Sequence, residues 1–204
     1  MDNIKLVTEK QHESIKSRGG NPLEESLTLV NTKDNLHYWV SPEQDYWRCY
    51  HFIEGALVYD FIPNNEYGKY LAYEVARAFG EFQKQLAELP GDRLHETIPF
   101  FQYTPYRLNQ LKEAIEINYE NRKVKCEKEI ATALEKEHIA PVIGDLMESG
   151  KIPKRVGHND TKINNVMFDY RGKIEKAKVI IDLDTVMLGT PLYDFGDLVR
   201  TTTC

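Results

Sequence analysis

A chain of 204 residues with 41% hydrophobic and 28% charged residues can bury one sizeable core, or a small lobe packed on a larger one, and is neither disordered nor fibrous in composition. Its formal net charge of −6 argues against a general nucleic-acid binder, which presents a basic face. No apolar run approaches the ~18 residues of a membrane span and no charged-then-apolar leader opens the chain, so no membrane is implicated and the cytoplasm is the expected compartment. Cys49, Cys126 and Cys204 lack C-x-x-C spacing and are expected to be reduced thiols, not a disulfide framework or zinc site.

Residues 2–17 are predicted helical, with Ile4, Val7 and Ile15 on one face and Gly19-Gly20 as terminator. β-prone runs at 27–30, 37–40 and 46–53, punctuated by Lys33-Asp34-Asn35 and Ser41-Pro42-Glu43, predict a small antiparallel sheet. Leu71, Val75, Phe79, Phe82, Leu86 and Leu89 then recur at helical spacing, the mark of an amphipathic core helix ended by Pro90-Gly91. An aromatic-rich loop over 98–103 leads to Thr104-Pro105, read as an N-cap and a first-turn proline, before a helix marked by Leu108, Leu111 and Ile115. Arg122, Lys123, Lys125 and Lys128 alternate with Glu120, Glu127 and Glu129, a solvated helix face; Pro141 separates this stretch from a second helix that ends at Ser149-Gly150.

The chemistry concentrates after Gly157. His158, Asp160, Lys162 and Asn165 form H-x-D-x-K-x-x-N, and Asp182 follows the β-branched run Val179-Ile180-Ile181. Moving a γ-phosphoryl group needs an oriented hydroxyl and positive charge around the moving oxygens. Asp160 can hold the hydroxyl and take its proton, and Lys162 can offset charge on the γ-phosphate. Asn165 and Asp182 offer hard oxygens of the kind Mg²⁺ prefers. The two runs 166–168 and 179–181 are expected to form a hairpin turned by 169–172, which brings Asn165 and Asp182 to the same end of neighbouring strands. His158 is expected to fix the loop structurally, and Asp184 is either a second metal ligand or an acceptor-contacting residue. A turn with incidental polar residues is the bland alternative.

HNDTKINNVMFD (158–169), VIIDLDTVMLGTPLYDFGDLVR (179–200) and YWRCYHFIEGA (46–56) resemble the aminoglycoside phosphotransferase and choline kinase branch of the protein-kinase-like superfamily, and more closely the N-acetylhexosamine 1-kinases. The resemblance implies an α+β, protein-kinase-like fold: a partial small β lobe over residues 1–53, and a mostly helical large lobe over 54–204 carrying a catalytic β-hairpin. It implies ATP and Mg²⁺ as cofactors, a sugar acceptor, adenine contacts from the backbone of Phe52, Ile53 and Glu54, and an Asp194 that braces the catalytic loop. Asp197 could cap a helix beginning at Leu198. In the aminoglycoside phosphotransferase pattern a phosphate-covering loop and a lysine precede the opening helix, and further helices follow the last one, so truncation at both ends is expected. The sequence leaves three functions in play: a small-molecule kinase, a non-catalytic kinase remnant, and a metal-dependent phosphohydrolase built on His158, Asp160, Asp182 and Asp184. Oligomeric state is not legible.

Overall fold

The computed structural model describes residues 1–203, so Cys204 lies outside the described residues. The chain forms two compact units, one from Met1–Thr97 together with the chain from Arg155 onward, the other from Ile98–Lys154.

The first unit opens with α1 (Asp2–Ser17), whose Ile4, Val7 and Ile15 are buried, and Gly19 takes the left-handed conformation (φ +78°) that ends it. A short α2 (Pro22–Glu25) follows, capped by the Asn21 side chain on Leu23 N at 3.2 Å. The expected three-run sheet is smaller than its β propensity suggests. β1 (Trp39–Val40) pairs with β2 (Tyr46–Trp47), while the 27–30 run meets the chain after β2 only at the bridge Leu29↔Tyr50. Left-handed residues Asn35 (φ 59°) and Gln44 (φ 69°) turn the chain too often for longer strands to grow.

β3 (Ala56–Val58) leads to α3 (Glu66–Gln85), where every apolar position anticipated from the spacing, Leu71, Val75, Phe79 and Phe82, is buried, as are Leu86 and Leu89 just beyond it. Asn65 caps α3 on Gly68 N at 2.9 Å, and a Cβ at Gly68 would lie 1.7 Å from the Pro63 carbonyl oxygen, so only glycine fits this turn.

In the second unit α4 (Thr104–Ile117) starts one residue earlier than expected. Thr104 is already helical and Tyr103, extended and without a reaching side-chain oxygen, occupies the cap position. Pro105 does sit in the first turn. α5 (Glu127–Glu135) and α6 (Val142–Glu148) flank the Pro141 break, and Gly150 (φ +70°) follows α6.

Back in the first unit, β4 (Arg155–Gly157), β5 (Val166–Asp169), β6 (Lys176–Ile180) and β7 (Met187–Gly189) precede α7 (Pro191–Thr203). β5 and β6 form the anticipated hairpin, but its turn spans 170–175 and a third strand, β3, joins it in the order β3-β5-β6. β4 pairs antiparallel with β7. The core joins α1 and α3 to the sheet through Val7, Phe79, Phe82, Phe168 and Val179. On the α3 side, Glu74 Oε2 accepts Ala177 N at 2.9 Å and Arg77 Nη2 donates to Ala177 O at 2.9 Å. α7 starts at Pro191, not at Leu198: proline pre-sets the first-turn φ, so Asp197 is mid-helix and pairs with Arg200 at 2.7 Å instead of capping.

Candidate active site

The loop from His158 to Asn165 hangs between β4 and β5, two elements fixed by different neighbours. Asp194, on α7 and only 2% exposed, gathers it. Its Oδ2 accepts His158 N at 3.0 Å and its Oδ1 accepts Asn159 N at 2.8 Å, while Gln83 Nε2 of α3 donates to Oδ2 at 2.9 Å. Thr161 Oγ1 closes the clasp on the Asp194 carbonyl at 2.6 Å. A buried carboxylate satisfied by three N–H groups is fixed in place.

His158 is fully buried, with Phe79 and Phe82 rings set edgewise at 5.4 and 5.6 Å. Its Nε2 meets the Ile181 carbonyl at 2.9 Å, which makes Nε2 the protonated nitrogen and leaves a bare, buried Nδ1. Burial pushes its pKa below the usual imidazole value. A neutral ring bonded to backbone ties the loop to the chain just before Asp182.

Asp160 Oδ2 receives both Lys162 Nζ at 2.9 Å and Asn165 Nδ2 at 3.0 Å. Its Oδ1 has no protein partner among the described residues. The hydrogen bond Lys162 donates to Asp160 raises the pKa of Lys162, with Asp182 and Asp197 adding to the same field. Asn165 Nδ2 also donates to the Asp160 carbonyl at 2.8 Å, so the amide orientation is set by two acceptors and its oxygen is the atom left for a ligand.

Asp182 follows β6 at the end where Asn165 precedes β5. Val166 and Ile180 are register partners, and Ile181 N donates to Asn165 O at 2.9 Å. Asp182 itself is left-handed (φ 59°, ψ 58°), a conformation that aspartate tolerates better than most side chains. Asp184, two residues on, is committed elsewhere: its two oxygens take both Nη atoms of Arg48 at 2.5 Å. Asp160, Lys162 and Asn165 thus bond one another directly, and Asp182 is joined to them through backbone. Phe52 (86% exposed), Ile53 and Glu54 stand in the loop before Gly55 and share no hydrogen bond with that group among the described residues.

Sequence reasoning missed Arg48, Gln83 and Asn159. Only Arg48 carried a signal, being a lone cation within an aromatic β-prone run.

The family model described as APH, phosphotransferase enzyme family, matches residues 29–204. The chain belongs to this phosphotransferase family. The family implies the protein-kinase-like fold, and the mixture of helices and small sheets agrees with an α+β class. APH phosphotransferases generally use ATP and Mg²⁺ and act on small molecules. The phosphohydrolase alternative lacks its ligand set. Among the described residues no three His, Cys, Asp or Glu side chains are grouped to hold a metal, and Asp184 is paired with Arg48. Among the described residues no helix is long and apolar enough to cross a membrane.

Proposed function

We propose that this phosphotransferase moves the γ-phosphoryl group of ATP to a hydroxyl of a small sugar, with an N-acetylhexosamine as the favoured acceptor. The observation that carries the reading is the divided state of Asp160: one oxygen is gripped by Lys162 and Asn165, the other faces no protein donor. The free oxygen is the one to accept the acceptor's hydroxyl and, as the new O–P bond forms, its proton. Lys162, held beside it, places a cation where charge develops on the transferred group.

The donor set fits a magnesium ion. The Asn165 amide oxygen and the Asp182 carboxylate would hold it, and when bound it neutralises charge on the phosphates. The backbone of Phe52, Ile53 and Glu54, in the loop between β2 and β3, is assigned to adenine. This assignment carries with it a division into a small lobe over 1–53 and a catalytic lobe over 54–204. The sugar class rests on the resemblance to N-acetylhexosamine 1-kinases.

The test is ADP release from Mg-ATP across a panel of N-acetylhexosamines and other sugars. Asp160→Asn keeps the hydrogen-bonding shape but removes the base, and is expected to lower turnover by about 10²–10⁴-fold. Turnover surviving in that variant would strip Asp160 of its role, and sugar-independent ATP hydrolysis in the parent would remove the acceptor class.

A further inference from the structure

The turn that carries Asp182 is held by several side chains, among them Asn159, whose Nδ2 donates to the Thr185 carbonyl at 3.0 Å. Thr185 Oγ1 donates to the His158 carbonyl at 2.8 Å, and Asn3 Nδ2 of α1 donates to the Val186 carbonyl at 2.8 Å. The hold from Arg48 differs in kind. Arg48, in the run following β2, meets Asp184 through a two-pronged ion pair, Nη1 to Oδ1 and Nη2 to Oδ2, both at 2.5 Å, across 136 residues of chain. The guanidinium also lies 5.5 Å from the Tyr50 ring centroid and touches Met1 Sδ at 3.8 Å, so it is seated on its stem and not free to wander.

Geometry makes this pair more than a surface contact. Asp184 lies in the middle of the single 3-10 turn Leu183–Thr185, and Asp182 immediately precedes that turn in the left-handed conformation. A non-glycine residue there is strained, and such strain persists only where surrounding contacts over-determine it. Leu183 is buried and anchors one side of the turn; Arg48 anchors the opposite, solvent-facing side. A planar guanidinium fixes a carboxylate in direction as well as position, which a lysine ammonium cannot do.

We infer that Arg48 is a positioning residue for Asp182: through its two-pronged grip on Asp184 it holds the 182–186 turn in the conformation that presents the Asp182 carboxylate to the catalytic metal ion. The metal part of this inference rests on the phosphotransfer reading above; the grip on the turn does not. The pair consequently links the strand run leading into the proposed adenine-binding segment with the metal end of the site. A residue acting this way alters how much metal ion the enzyme needs, whereas a contact that only stabilises the fold alters melting and leaves that requirement alone.

The experiment uses the full chain and the variants Arg48→Met, Arg48→Lys, Asp184→Asn and the double variant Arg48→Met/Asp184→Asn. Arg171→Met serves as a control, because it breaks the Arg171–Asp169 pair at the opposite end of β5. Two readouts are taken: hydrogen–deuterium exchange over 181–187, and the Mg²⁺ concentration giving half-maximal ATP turnover. Loss of exchange protection in Arg48→Met and Asp184→Asn, no further loss in the double variant, and a rise of about 10–100-fold in the Mg²⁺ requirement are expected, given that small misplacements cost rates on the order of a hundredfold. Arg48→Lys should fall between, and Arg171→Met should match the parent. Unchanged exchange over 181–187 in Arg48→Met overturns the inference, as does lost protection with an unaltered Mg²⁺ requirement. A parent chain without turnover defeats the phosphotransfer reading and the metal role with it, while the exchange data still decide whether Arg48 holds the turn.

Discussion

Removing the Asp194 carboxylate should loosen the catalytic loop. In Asp194→Ala the N–H groups of His158 and Asn159 lose a buried acceptor, and Gln83 loses its bond. Hydrogen bonds to a charged group contribute ~1.5–3 kcal/mol each, and a buried donor left without an acceptor costs ~1–3 kcal/mol. The two backbone donors alone therefore set a loss of ~3–6 kcal/mol, a large share of the ~5–15 kcal/mol that holds a typical domain folded. Urea unfolding followed by tryptophan fluorescence would register this as a midpoint lower by about 1.5–3 M, taking a slope of ~2 kcal/mol per M. Asp194→Asn keeps the volume and one acceptor oxygen, turns an NH₂ toward one backbone donor, and should lose about half as much. Amide exchange at His158 and Asn159 supplies the local measurement, with protection falling in both variants. A midpoint within about 0.3 M of the parent, with both amides still protected, would refute the account of Asp194 as the clasp.

His158 gives a pH signature. Burial lowers its folded pKa beneath 6.5, so below that pH the unfolded chain binds the proton first; the stability present above 6.5 is lost as pH falls, with a slope of ~1.4 kcal/mol per pH unit for one proton. His12, partly buried and also lowered by burial, acts in the same direction, so the quantity to compare is the slope between pH 6.5 and 5 in the parent and in His158→Gln, which should be shallower. Equal slopes would show that His158 is not the responsible group. Two glycines of α3 make a matched pair. Gly68→Ala, whose Cβ would strike the Pro63 carbonyl oxygen at 1.7 Å, should cost ~1–3 kcal/mol, whereas Gly80→Ala, with nothing within 4 Å, should gain ~0.5–1 kcal/mol; calorimetric melting of both settles it.

What the sequence made legible follows from how local each signal is. α1 and α3 could be placed because Ile4, Val7 and the series Leu71 to Leu89 repeat at helical spacing, and burial confirms that face. The group Asp160, Lys162 and Asn165 was visible because all three fall within one short loop. β3, β4 and β7 have three residues each, too few to show alternation, and each exists through pairing with a distant strand. The Arg48–Asp184 pair spans 136 residues and left only an isolated cation as its trace. The left-handed backbone at Asp182 was hidden for another reason: aspartate permits that conformation without announcing it. The start of α7 was misplaced because Asp197 looked like a cap while Pro191 was already opening the helix.

The Glu74–Arg77 arrangement has a bearing on solubility. β6 is an edge strand of its sheet, and such a strand normally exposes backbone groups that can recruit a strand from another molecule. At Ala177 both of those groups are already engaged, the N–H by a carboxylate and the carbonyl by a guanidinium, each borne on α3. A single helical turn of side chains thereby stands in for a neighbour strand at that residue, and a strand from another molecule would have to displace both bonds to pair there.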